Sequence, residues 1–478
     1  MKTNLLLLSI LMLTVTAYAQ VGIGTTNPDP SSAMEISSTE AGMLTPRMTT
    51  AQRNAIASPA TGLLVYDTDL DLFHFYDGTV WEPLGTAEIR DNYKLVKSVA
   101  DLTDELVAGG GAMYQLNTNF LYEINGTVVL DYPVDLNGAY VEGVDSGEDI
   151  LLNASGSTMF TGATGGSLRN LTISGGGQQI FSLTGGTLVI NNSIISGGSS
   201  VGSLTNLSLA FLSIVQFVGN SNGFTVNGST GTSHFMNNTF WTDTNTGTFL
   251  NFSGTFDNIQ LANGRIVADA GETGINVSTN PVINNSASLS GLNFVGVGTL
   301  VNPYTTGTYT GYNFSVDWDV NCEGIPLETD NTASANFYTT SGLTTGFNQS
   351  ITNGTAVEIQ GNGTFATNNL FRFGGSGGNN RVTYQGKKGR SFQATASLSV
   401  RVTNATGDFY AFVFAKNGSV VTESNSVVYI DSATQIQNVS LSSVIDLDMG
   451  DYIEVYVQRL TGSGNDSLIV FSENVSIK

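Results

Sequence analysis

The stretch "SLRNLTISGGGQQIFSLTGGTLVINNSIISGG", residues 167–198, carries one Arg and no other charge. Short apolar pairs return between Gly, Asn, Ser and Thr, with neither a helical stripe nor a long apolar block. Related phrases follow: "SLAFLSIVQF", "TSHFMNNTFW", "DNIQLANGRIV" and "ASLSGLNFV" start about every 20 to 26 residues, a spacing that fits one solenoid coil. A single coil cannot bury its own apolar face, so such units must stack. The pattern predicts a right-handed parallel β-helix in which Ile173, Ile194, Ile214, Phe240 and Ile266 line one internal column. Asn and Gly would take the corners, because Asn tolerates left-handed backbone and stacked Asn amides bond along the ladder. A sandwich of short antiparallel strands is the rival arrangement, which the recurring coil length disfavours.

Composition agrees with an all-β chain. Charged residues make up only 12% while apolar residues reach 40%, so Asn, Thr, Ser and 56 glycines must supply the polar surface and the turns. The 25 Phe, 17 Tyr and 3 Trp exclude a disordered chain. Seventeen basic against 39 acidic side chains give a formal charge of -22, which opposes binding to nucleic acid or to an anionic membrane. Cys322 is the single cysteine, so no internal disulfide forms. Residues 1–19 read as a secretory signal cleaved after Ala19, and no later segment is long and apolar enough to span a bilayer. Location is therefore expected to be extracellular or at the outer cell surface.

Three regions follow the signal. Residues 20–90 open with turn-forming Gly, Asn-Pro and Asp-Pro pairs, then "TTAQRNAIASP" as a short helix capped by Thr49 or Thr50, then a small meander. Residues 91–324 hold the coils, with "KSVADLTDELVAGG" as a short helix closing their N-terminal end and Trp318 capping the last coil. Residues 325–478 drop the coil spacing for strongly alternating strands such as "SFQATASLSVRV" and "DYIEVYVQRL", which fit an antiparallel jelly-roll-like sandwich.

The phrases "VGIGTTNPDPSSAMEI", "GMLTPRMTTAQRNAI" and "ATGLLVYDTD", about 65 residues in all, resemble the opening module of secreted, tail-fibre-like surface proteins of the Bacteroidota. The coils resemble bacteriophage tail-fibre and tailspike β-helices. "NRVTYQGKKGRSFQATASLSV", "FVFAKNG" and "LDMGDYIEVYVQRLTGSGNDSLIV" resemble phage-fibre heads, distantly similar to trimeric C1q and TNF-like sandwiches. What the resemblance implies is a homotrimeric, exported adhesion or fibre protein that binds surface glycans or cell-surface receptors.

Residues able to do chemistry are few. His74 reads as an outward strand residue; His234 is the better candidate, against the plainer reading of a hydrogen-bonded surface or groove residue. Asp67, Asp69 and Asp71 imitate the start of a calcium loop, but Leu72 stands where that loop needs Gly and Gly78 where it needs Glu; no metal or cofactor is expected. On the outer wall of the coils, Asp243, Asp257, Asp269, Glu272, Asp317 and Asp319 are the carboxylates from which a glycan-cleaving pair would be drawn. Arg265 and Asp269, four apart in an extended segment, would share a face as cation and base of a lyase. Trp241, clustered with Phe235 and Phe240, is the candidate for stacking on a sugar ring, against the plainer reading in which two of these three aromatic residues point into the core. The non-enzymatic adhesin is the leading reading; a tailspike-like polysaccharide hydrolase or lyase is the alternative, and a purely structural surface component is a third.

Overall fold

A computed structural model describes residues 20–85, 91–340, 342–360, 365–375, 380–403 and 406–478. The expected signal segment, 1–19, lies outside them. The chain divides into two compact units, Met1–Asp91 and Asn92–Lys478.

In the first unit, strands Arg47–Met48, Leu64–Asp67, Leu72–Tyr76 and Trp81–Pro83 form one sheet. Helix Thr50–Asn54 opens with a capping box: Thr49 Oγ1 accepts from the Gln52 amide while Gln52 Oε1 accepts from the Thr49 amide. His74 faces inward, opposite buried Val65, rather than outward as expected. The carboxylates that imitate a calcium loop are engaged within the protein. Asp67 is buried, pairs with Arg53 at 3.1 Å and accepts from Thr50 Oγ1 at 2.8 Å, while Asp69 accepts from the Thr50 amide at 3.0 Å. Burial opposes ionisation of Asp67, yet these donors together hold its carboxyl below the usual range.

The second unit begins with a parallel β-solenoid of about nine turns. A 3₁₀ turn, Val99–Leu102, and helix Thr103–Ala108 lie at its N-terminal end. Leu102 joins the core, and buried Glu105 receives Lys94 Nζ at 2.8 Å and the Tyr122 hydroxyl at 2.8 Å. An apolar end is thus covered with its one buried charge paired.

The internal column differs from the predicted one in three coils, by one residue at Ile194 and Phe240 and by three at Ile214. Strand register aligns Ile173, Ile195, Phe217, Trp241, Ile266 and Phe294, all buried. Ile194, Ile214 and Phe240 point outward instead. The cause is a second column, at which Asn170, Asn192, Ile214, Asn238 and Asn263 adopt φ of 54°, 47°, 57°, 51° and 58°. A left-handed residue turns the strand, so the alternation of inward and outward side chains changes phase there. Strand Thr187–Ser196 buries Leu188 and Ile190 before Asn192, then Ser193 and Ile195 after it. The expected amide ladder is present in part: Asn192 Nδ2 donates to Asn170 Oδ1 at 3.0 Å, and on the other wall Asn276 to Asn251 and Asn302 to Asn276, each at 3.0 Å.

The last coil strand, Trp318–Glu323, leads into two antiparallel sheets whose facing sides bury Phe337, Phe392, Phe412 and Val455. Trp318 sits in the final coil, its indole Nε1 donating to the Tyr304 hydroxyl at 2.8 Å. Solenoid and sandwich are tied by charge. Arg372 is buried, donates to the carbonyls of Val316, Trp318 and Glu328, and pairs with Asp330 at 3.3 Å. Lys387 reaches Asp317 at 2.6 Å, and Lys388 reaches Asp319 at 3.6 Å. No helix among the described residues is long and apolar enough to cross a membrane.

Candidate functional site

The change of phase at the left-handed column decides what the outer wall offers. Beyond it, Gln216, Phe240 and Arg265 lie in register on successive coils and face outward, while their neighbours Phe217, Trp241 and Ile266 fill the core. Trp241 is 1% exposed and stacks on Phe249 with ring centroids 4.7 Å apart. The expectation of an exposed tryptophan therefore fails: its ring has no free face. The outward aromatic is Phe240, 44% exposed.

These outward residues form one wall of an open groove of about 740 Å³. Its other wall comes from the turns that follow each strand, which carry Asp243 and Asp269. Both turns are held in place. Asn245 is fully buried, donates from Nδ2 to the Phe217 carbonyl at 2.7 Å, and accepts from Asn220 Nδ2 at 2.9 Å, so the turn bearing Asp243 is pinned to the coil below. Glu272 accepts from the Asp269 amide at 2.8 Å and returns its own amide to the Asp269 carbonyl at 2.9 Å, closing the second turn. Glu272 is thereby occupied in positioning Asp269 and does not line the groove.

Of the carboxylates proposed from the sequence, only Asp243 and Asp269 share this groove, and Arg265 joins them as its cation. Asp257 sits elsewhere on the wall, where a 2.8 Å bond from Asn284 lowers its pKa. Asp317 and Asp319 belong to the ion pairs with Lys387 and Lys388 described above, which removes them as a free catalytic pair. His234 corrects the reading of a hydrogen-bonded surface or groove residue. It is 0% exposed, neither ring nitrogen has a partner among the described residues, and its ring meets Phe252 edge-on at 5.4 Å. Burial alone pushes its pKa down to about 4, so the ring is neutral near pH 7 and packs as a core residue. No group of His, Cys, Asp or Glu among the described residues is arranged to hold a metal ion.

Gln216 and Thr242, which also line the groove, were not picked out from the sequence. The signal that finds them is positional: each is fixed by counting from the left-handed residue of its strand rather than from the preceding apolar residue.

Comparison with known proteins gives one family match. Residues 22–99 match the family described as a phage tail like trimerisation region. Similar solved structures include the enzymatically active domain of bacteriophage CBA120 tailspike protein 4, at 10% identity over 91% of this chain and 77% of that one, TM-score 0.24. A tailspike of the Acinetobacter baumannii bacteriophage Fri1, described as a capsular polysaccharide depolymerase, matches at 7% identity over 90% of this chain and 98% of that one, TM-score 0.20. The Eiger TNF of S. frugiperda matches at 9% identity over 30% of this chain and 90% of that one, TM-score 0.20. No curated protein matches the chain significantly. The chain thus pairs a segment that matches a phage tail-like trimerisation region with a parallel β-solenoid.

Proposed function

We propose that this chain is an exported, homotrimeric fibre-like adhesion protein whose solenoid holds surface polysaccharide in the groove around Phe240, Asp243, Arg265 and Asp269. The observation that carries the reading is the convergence of an outward aromatic ring, an outward cation and two pinned carboxylates from successive coils. A ring 44% exposed offers a stacking face, the outward Gln216 amide offers a partner for sugar hydroxyls, and Arg265 offers a charge-assisted bond to an acidic sugar. The trimerisation-region match supports a homotrimer, and three weak sites on one assembly bind a repeating polymer by avidity.

One observation favours a second reading. Asp243 and Asp269 line the same groove, and a pair of carboxylates is what acid-catalysed glycoside cleavage requires. Incubation with a panel of bacterial surface polysaccharides, scoring retention together with release of reducing ends or unsaturated products, separates the two. Retention without release supports the adhesin; release abolished by Asp243→Asn or Asp269→Asn makes the protein a depolymerase. Sedimentation at micromolar concentration is expected to give three times the chain mass, and a monomer would remove the avidity argument.

A further inference from the structure

We propose that a second cleft, where the end of the solenoid meets the sandwich, is a binding site for neutral saccharide. It measures about 760 Å³, within the range of small-molecule sites. Thr308, Thr310 and Tyr312 line it from the loop before the last coil strand, and Thr367, Asn368 and Asn369 line it from strand Phe365–Phe371 of the sandwich. The proposal goes beyond the coil groove and stands on different residues.

Three observations carry it. The loop is fixed before any ligand arrives. The amides of Asn313 and Phe314 donate to the Glu328 carboxylate at 2.8 and 3.0 Å, the Tyr309 hydroxyl donates to Gln385 Oε1 at 2.7 Å, and the Tyr312 ring stacks on Phe371 at 4.0 Å. A wall already ordered costs a ligand little entropy. The lining chemistry is then selective, because hydroxyls and amides both donate and accept, as sugar hydroxyls do. None of the described lining residues carries a carboxylate or a cation. In a chain of net charge -22, a polyanion would find no ion pair here and a repulsive field around it. Finally, Thr308 Oγ1 is buried and has no hydrogen-bond partner among the described residues. Such orphaned groups are rare in native proteins; closed to solvent as it stands, this hydroxyl meets an incoming partner once the Thr308 side chain rotates toward the cleft that the residue lines.

The contrast with the coil groove provides the test. The full chain is titrated by affinity electrophoresis against four neutral polysaccharides (a dextran, a mannan, a galactan and a xylan) and against a polyuronate. The variants are Thr310→Ala/Asn368→Ala, both at exposed positions, and Arg265→Ala. At least one neutral polymer is expected to be retained, and the double variant to weaken it about ten-fold, as the loss of one or two hydrogen bonds would. Polyuronate retention should be unchanged by the double variant and reduced by Arg265→Ala. Failure of the polyuronate arm alone would count against the coil groove and leave this cleft standing. Retention of no neutral polymer, or retention insensitive to the double variant while melting behaviour is unchanged, would overturn the proposal.

Discussion

Solenoid and sandwich use the same strand alphabet but sort core from surface differently. In the sandwich, strand Arg390–Val402 buries Phe392, Ala394, Ala396, Leu398, Val400 and Val402 without a break in alternation. In the solenoid, strand Ser233–Trp241 buries His234 and Met236 before Asn238, then Thr239 and Trp241 after it. One backbone conformation, not side-chain hydrophobicity, decides that Trp241 is core and Phe240 is groove. Adjacent aromatic residues therefore carry unrelated duties, and substitutions at the two should separate them.

The largest expected effect tests that separation. Trp241→Ala removes a buried ring and should cost about 3–5 kcal/mol, seen as a lower midpoint in denaturant. Phe240→Ala should leave the midpoint nearly unchanged and reduce polysaccharide retention. Equal destabilisation by both would mean that the phase change is misplaced.

The two regions should also answer pH in opposite directions. His234, neutral in the folded solenoid, has a folded pKa of about 4 against 6.5 when unfolded. As pH falls through that window the unfolded chain gains a proton that the folded one refuses, so stability drops by on the order of 3 kcal/mol. His234→Leu should flatten this acid limb in denaturant midpoints measured from pH 7 to 4. Glu473, on the inner face of the sandwich, is 1% exposed and neither carboxyl oxygen has a partner among the described residues. Burial, with a contribution from Glu358, raises its pKa well above 4.5. Here the folded state keeps a proton that the unfolded chain loses, so above pH 4.5 stability falls by up to about 1.4 kcal/mol per pH unit until the folded group ionises. Glu473→Gln should raise the melting temperature at pH 8 more than at pH 5; equal shifts at both would show that the carboxyl is not held protonated.

The smallest effect sharpens the left-handed column itself. Ile214 is β-branched, 51% exposed and held at φ 57°, between Asn192 and Asn238. Ile214→Asn should stabilise the protein by about 1 kcal/mol, the strain that an ordinary side chain carries in this conformation. A loss of stability would show that the isoleucine side chain makes a contact that outweighs its backbone cost.

The solenoid was legible because stacking imposes a period, and Gly and Asn mark where each coil must turn. Its interior departs from the expected column at Ile194, Ile214 and Phe240 because the period sets coil length but not the residue at which the strand changes phase. Ile214 conceals that residue in its own coil, since nothing about an isoleucine announces a left-handed backbone. Asp243, Arg265 and Asp269 could be named as candidates from their place on the wall. Their convergence depends on the stacking of successive coils and on buried Asn245, which reaches across to Phe217 and Asn220, contacts that no local pattern encodes. The cleft beside Thr308 and Asn368 joins segments far apart in the chain, so no single stretch of sequence points to it.

The most direct test of the account is hydroxyl-radical footprinting of the protein with and without a retained polysaccharide, read residue by residue across Phe240 and Trp241. The account predicts protection of Phe240 on binding, with Trp241 unreactive in both states. An unprotected Phe240 under saturating polysaccharide, or a Trp241 that reacts freely and becomes protected, would contradict it.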